Sequence, residues 1–421
     1  MHKDRILKVE YIPIDKVLPD PLNPRLHPPE QFADLDASMG EFGFTNPLLI
    51  DENFRLIAGH CRLLVAKKRG MTVVPVIMIS GLSELQKLKL QLADNKVALK
   101  GGWDTHLHRL KIRKIAELEI SPKLTIPGYS TGEIDVLLTP KADPDDSSIP
   151  AVPVQPRTQP GDIYICGDHR IGCGDGRDPE FLRKVIGEGG QIDMAFLDPP
   201  YNVSIPNHAN TKRRHPNFKM ASGEMSDPQF RTFLTDGLRA CAEVSREGAV
   251  HYVCMDWRHA EPLMAVGRDV YGDLINLCIW NKSNAGMGSL YRSKHELVFV
   301  YRVGDAPHFN AVELGKHGRN RTNVWDYPSV NTFAGKRSGD LDLHPTVKPA
   351  AMVMDAIQDV TRRGDLVLDI FLGSGTTLIA SERCGRRFRG LDIDPAYVDV
   401  AVERWERVTG KKAQRIAAVA A

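Results

Sequence analysis

Apolar positions recur along this chain at two alternating spacings. Phe32, Leu35, Met39 and Phe42 fall at helical spacing, and Pro47–Ile50 and Arg55–Ala58 read as short strands joined through Asp51, Glu52 and Asn53. Gly59 opens a helix that Gly70 ends, Val73–Ile79 is a further strand, and Ser83 with Gln86 forms a capping box for a helix carrying Leu85, Leu88 and Leu92. Leu107, Leu110, Ile115 and Leu118 predict a helix over Trp103–Glu119, and a shorter one lies near Glu133–Leu138. Beyond Gly161 the chain alternates. Strands are expected at Arg170–Cys173, Ile192–Leu197, Ala249–Cys254, Leu274–Trp280, Glu296–Tyr301, Asp365–Ile370 and Phe388–Asp392, with helices starting at Asp178-Pro179, Asp227-Pro228 and Asp394-Pro395. That alternation predicts an α/β fold, a mostly parallel sheet with helices on both faces.

Pro140, Pro144, Pro150, Pro153, Pro156 and Pro160, interleaved with Asp143, Asp145 and Asp146, read as an extended spacer. The expected division is a small α+β domain over 1–100, a helical and proline-rich linker over 101–160, a second domain over 161–410 and a tail over 411–421. A chain beginning near Gln159 is therefore expected to fold and act alone. Periodicity fails over 202–226 and 303–343. Irregular stretches of that length inside a compact domain tend to be functional or disordered, and Lys212, Arg213, Arg214, Arg319 and Arg321 make these two candidate DNA-contacting segments.

A length of 421 residues suggests two or three domains, and 42% hydrophobic with 26% charged residues describes a globular protein. No apolar stretch reaches membrane-spanning length and no signal-peptide pattern opens the chain, so a cytoplasmic protein without a membrane partner is expected. Seven scattered cysteines with no C-x-x-C pair argue for reduced thiols and against a metal site. The net charge of +2 conceals nine Lys/Arg against four Asp/Glu between Lys282 and Arg337. Such local basicity fits a phosphate backbone, and a solvated basic face fits it as well.

The sharpest chemistry follows the Ile192–Leu197 strand. Asp198 stands at its carboxyl end, where open α/β sheets keep ligands. Pro199 and Pro200 then fix two φ angles and remove two donors. The bracket holds a carboxylate, free carbonyls and the Tyr201 ring, parts that suit a planar ring with an exocyclic amino group. A rigid turn in which Asp198 merely caps the strand satisfies the same tripeptide. Later, Asp369 ends a strand, and Phe371, Gly373, Ser374, Gly375, Thr376 and Thr377 form a glycine-rich turn into a helix. Asp392 ends the next strand 23 residues after Asp369, the spacing at which an acid meets ribose hydroxyls in Rossmann folds.

Taken together, residues 161–410 resemble amino-methylating DNA methyltransferases of the β arrangement, in which Asp-Pro-Pro-Tyr precedes the Phe-x-Gly-x-Gly turn. Gly174-Asp175, Asp198–Tyr201, His344–Pro349, Asp369–Thr377 and Gly390–Asp392 carry the likeness. Ile370 departs from it, standing where the family usually has proline. The resemblance implies a Rossmann-like S-adenosylmethionine-dependent sheet in permuted motif order. Asp175 would lie near the cofactor's adenine and Asp392 on its ribose. Gly373–Thr377, with Thr346 and Lys348, would hold the methionine end. It further implies direct methyl transfer to N6 of an adenine flipped from double-stranded DNA, with no metal. An N4-cytosine enzyme, where serine more often replaces Asp198, is an alternative. So is a non-catalytic DNA-binding adaptor, and the biological setting is open between restriction–modification and an orphan methylase.

Asn23-Pro24-Arg25, the Glu30–Phe44 stretch and Ile57–Arg62 resemble the N-terminal domain of the ParB/sulfiredoxin superfamily, where the Gly-x-x-Arg turn contacts nucleotide phosphates. Gly59, His60 and Arg62 are then candidate nucleotide ligands. His60 stands where partition proteins usually have an acid, and Cys61 is third in the motif where sulfiredoxins have it second. A tight turn with a surface arginine is the other reading of these residues. A homodimer is one assembly open to the chain.

Overall fold

The computed structural model describes residues 7–98, 100–119, 124–140, 143, 148–203, 221, 223–285, 290–312, 315, 319–329 and 347–416. The chain divides into two compact units, one holding residues up to 120 together with Leu124–Ser130, the other running on from Thr131.

In the first unit, β1 (Val9–Pro13), α1 (Pro29–Phe42), β2 (Leu48–Asp51), β3 (Leu56–Ala58), α2 (His60–Lys68), β4 (Val73–Ile79), α3 (Glu84–Ala98) and α4 (Thr105–Leu118) follow one another. The four strands form one sheet in the order β1-β4-β2-β3, in which only β2 and β4 run parallel. Its core joins Ile14, Val17, Leu48, Ile50, Leu56, Leu63, Val74 and Val76. The expected capping box is present: the Ser83 amide donates to Gln86 at 2.9 Å and the Gln86 amide to Ser83 at 3.3 Å.

The second unit begins earlier than its motifs. Helix α5 (Thr131–Leu138) belongs to it, and buried Asp135 there accepts both terminal nitrogens of Arg386 at 2.7 Å. The stretch 101–160 is thus not a spacer throughout. A charged arginine with no exposed side-chain surface needs that carboxylate.

There follow β5 (Ile163–Cys166), β6 (His169–Cys173), α6 (Pro179–Ile186), β7 (Ile192–Leu197), α7 (Asp227–Glu243), β8 (Ser245–Met255), α8 (Ala260–Tyr271), β9 (Leu274–Asn281), β10 (His295–Arg302) and β11 (Val324–Asp326). Then come α9 (Ala350–Val360), β12 (Leu366–Asp369), α10 (Thr376–Cys384), β13 (Arg387–Asp392), α11 (Pro395–Thr409) and β14 (Gln414–Ile416). Ten strands form one sheet in the order β11-β9-β10-β8-β7-β12-β13-β6-β5-β14, and only β5 and β10 run against the rest.

Two apolar layers bury the sheet. One gathers Phe196, Tyr252, Trp280, Met352 and Trp405, the other Leu197, Phe230, Phe233, Leu368 and Phe299. The functional consequence lies in the order. Strands β6, β13, β12 and β7 are parallel neighbours, so Asp175, Asp392, Asp369 and Asp198 all emerge at one end of the sheet although β7 precedes β12 by more than 150 residues. Among the described residues no helix is long and apolar enough to cross a membrane.

Candidate active site

At the end of β12 the chain turns into α10 through Gly373 (φ 49°) and Gly375 (φ 80°), both left-handed. A Cβ on Gly375 would lie 2.9 Å from that of Ala401, so helix α11 forbids a side chain there. Among the described residues, a Cβ on Gly373 would meet nothing closer than a carbonyl at 3.9 Å. That open side is a cradle where a ligand can reach the backbone. The side chains of the turn look elsewhere. Arg404 of α11, a buried residue the sequence reading missed, donates to the Ser374 carbonyl at 2.9 Å and to the Thr376 hydroxyl at 3.1 Å. Thr377 donates to Asp369 at 2.7 Å, as does the Phe371 amide at 2.9 Å. Burial pushes the Asp369 carboxyl up to about 7, the two hydrogen bonds only partly opposing it.

The neighbouring strand ends close the cradle. Asp392 accepts the Gly373 amide at 2.8 Å and the Asp394 amide at 2.8 Å, so it fixes the glycine turn. The Gly174 amide donates to the Asp392 carbonyl at 2.9 Å, tying β6 to β13. Asp175 is engaged by Arg177, whose Nη2 lies 2.6 Å from Oδ2 and whose guanidinium stands 5.2 Å from the Phe233 ring. Phe371 packs against the same ring at 5.9 Å.

Asp198, Pro199, Pro200 and Tyr201 stand at the end of β7. Tyr201 donates to Asp198 Oδ1 at 2.7 Å, and Lys348 to Oδ2 at 2.6 Å. The three Lys348 donors meet Asp198, Glu296 Oε2 at 3.1 Å and the Tyr201 oxygen at 3.3 Å. Lys348 thus sits on the acid of the Asp-Pro-Pro-Tyr bracket, whereas the resemblance placed it at the methionine end; a buried ammonium goes where two carboxylates converge. Burial would lower its pKa, but Asp198 and Glu296 carry it well above the ordinary value. Burial together with Asp198 and Glu296 likewise raises the Tyr201 hydroxyl, which stays a donor. Glu296 on β10 also pairs with Lys282 just beyond β9. Both were missed by the sequence reading, although an acid set into the apolar run of β10 was the available signal.

A family model described as DNA methylase matches residues 192–403, half of the chain, and one described as the ParB N-terminal domain matches residues 2–96. The chain belongs to the DNA methylase family. It is 27% identical to the type II methyltransferase M2.DpnII of Streptococcus pneumoniae over 241 residues, 54% of this chain and 86% of that one. Its first unit is 47% identical to the ParB-like nuclease domain-containing protein YnaK of Escherichia coli K12 over 81 residues, 19% of this chain and 93% of that one. A solved M1.HpyAVI–SAM complex aligns with a TM-score of 0.39 at 17% identity, covering 56% of this chain and 98% of that one.

Within this DNA methylase the expected DNA contacts fare differently. Arg319 and Arg321 are held by acids of α9. Arg319 reaches Asp359 at 2.5 Å and Gln358 at 3.1 Å, and Arg321 reaches Asp359 at 2.7 Å, Asp355 at 3.1 Å and the Trp325 ring at 5.3 Å. Both anchor their segment to α9, because two acids on one helix face draw in the nearest guanidinium groups. Lys212, Arg213, Arg214 and Thr346 lie outside the described residues. Among the described residues no group of three or more His, Cys, Asp or Glu could hold a metal.

In the first unit, Gly59 (φ 107°) caps α2, with His60 and Arg62 on its first turn. The Arg62 guanidinium donates to the carbonyls of Asn46 and Pro47, and His60 Nε2 accepts the Asp20 amide at 3.3 Å. Burial lowers the pKa of both side chains.

Proposed function

We propose that this DNA methylase moves a methyl group from S-adenosylmethionine directly to the exocyclic N6 of an adenine flipped out of double-stranded DNA. The observation that carries the reading is the convergence at one sheet end of Asp198 and Tyr201 with the Gly373 cradle and Asp392. The residues fit the cofactor. The open side of Gly373 admits a ligand against the backbone, and at the neighbouring strand ends Asp392 would face the ribose and Asp175 the adenine. Bound there, S-adenosylmethionine supplies an electrophilic methyl group.

The chain's own part is positioning. An aromatic amine is a poor nucleophile because its lone pair is delocalised into the ring. Asp198 and the Pro199 carbonyl accept its two hydrogens, drawing the nitrogen toward tetrahedral geometry and localising that pair. Tyr201 offers its ring face to a base that has lost its stacking neighbours. A carboxylate at position 198 is the stronger acceptor, which favours adenine over cytosine as the target. Incubating DNA with the protein and methyl-labelled S-adenosylmethionine, then separating the nucleosides, tests this. Label in N6-methyladenine is expected, and label in N4-methylcytosine alone contradicts it.

The ParB-like unit is, in this reading, accessory to the chemistry and binds a nucleoside triphosphate at the start of α2. Calorimetry with CTP and ATP on wild type and Arg62→Ala tests that. Absence of binding by the wild type leaves a structural turn.

A further inference from the structure

Three charged groups and one phenol form a closed ring behind the reacting position, and a fourth charge joins it from outside. Asp198 holds Tyr201 and Lys348, Glu296 holds both of them from the far side at 3.3 and 3.1 Å, and Lys282 pairs with the outer oxygen of Glu296. Two ammonium groups thus balance two carboxylates. Lys348 is 5% exposed and Glu296 10%, so neither can be neutralised cheaply by water. Burial pushes the Glu296 carboxyl up, yet Lys348 and Lys282 more than reverse this, leaving it below its ordinary range. The ring geometry includes the hydrogen bonds as well as the charges.

We propose that Glu296 is a positioning residue for methyl transfer. It shares Lys348 and Tyr201 with Asp198 and keeps the bracket electrically neutral, so that Asp198 retains acceptor capacity for the target amine. The inference rests on the methyl-transfer reading above. Glu296 reaches the reacting atoms only through Lys348 and Tyr201. Without it, Lys348 has a single carboxylate left, pairs more completely with Asp198 and competes with the amine. The site also carries a surplus positive charge. Methyl transfer breaks the sulfonium–methyl bond as the nitrogen–methyl bond forms, leaving a neutral thioether, and the displaced amine proton carries the positive charge away to solvent, so that surplus opposes the bound donor more than the bound thioether product.

The test uses the full chain with Glu296→Gln, Glu296→Asp, Lys348→Met and the Glu296→Gln/Lys348→Met double variant, each checked for folding by thermal melting. Glu296→Gln is expected to lower kcat about tenfold or more with KM for DNA changed by less than about threefold. Glu296→Asp, which keeps the charge, should recover part of that loss and serves alone should the amide variant not fold. Adding Glu296→Gln to Lys348→Met should cost little further, because the glutamate acts through the lysine. Calorimetry should show Glu296→Gln weakening S-adenosylmethionine by about threefold more than S-adenosylhomocysteine. Wild-type kcat in Glu296→Gln, fully multiplicative losses in the double variant, or equal weakening of the two ligands overturns the inference. A wild-type chain that transfers no methyl to DNA overturns the underlying reading, and this inference with it.

Discussion

Lys348 donates to Asp198 Oδ2 at 2.6 Å across 150 residues of sequence, pairing the proposed catalytic acid, itself partly exposed, with a buried ammonium. Removing one partner of such a pair strands the other charge, at a cost of about 3–5 kcal/mol. Lys348→Met should therefore lower the unfolding free energy of the second unit by about 3 kcal/mol in a denaturant titration. A loss below about 1 kcal/mol, the range of exposed pairs, would show that water screens the site.

Arg404 supports the glycine turn from behind through Ser374 and Thr376. Arg404→Met should loosen the Gly373 cradle, weakening S-adenosylmethionine about tenfold while kcat at saturating cofactor stays near wild type. Calorimetry and initial rates separate the two. Loss of kcat alone would place Arg404 outside the binding role.

Asp369 gives stability a pH dependence of definite sign. Burial lifts its carboxyl from 3.8 to about 7, so between those values the folded chain binds more protons than the unfolded one. Its contribution is fully present below the lower value and is lost as pH rises through the upper one. Melting temperature should fall between about pH 4 and 7, and Asp369→Asn should flatten that slope. An unchanged slope in the variant would assign the titration to another group.

Truncation should be intolerant of the boundary that the proline-rich stretch suggests. A chain beginning near Gln159 lacks Asp135, whose carboxylate holds both terminal nitrogens of Arg386. Relative to a chain beginning at Thr131, it should be less stable by about 3 kcal/mol or more. Equal melting temperatures would show that Arg386 finds a substitute partner.

The elements that periodicity and caps announce lie close to where they were expected. Ile192–Leu197 and Val73–Ile79 are strands to the residue, and Asp178 and Asp394 cap helices with their side chains. These signals are local, carried by a few adjacent residues. What escaped is non-local. Glu296, Arg404 and Asp135 each interrupt an apolar pattern, and only the fold reveals the buried partner that makes the interruption stable. Arg319 and Arg321 show the converse: basic residues in an irregular segment looked free for DNA until α9 supplied Asp355 and Asp359. Charge in a sequence states what must be balanced, not by what.

The division of labour at the sheet end is the central claim, and paired alanine variants test it most directly. Single-turnover methyl transfer to DNA and S-adenosylmethionine affinity are measured for Asp198→Ala and Asp392→Ala. Asp198→Ala should lose far more than tenfold in rate (more than about 1.4 kcal/mol of barrier) with cofactor affinity little changed. Asp392→Ala should lose cofactor affinity first. An Asp198→Ala protein that keeps more than about a tenth of the wild-type rate would contradict the assignment of the methyl-transfer site.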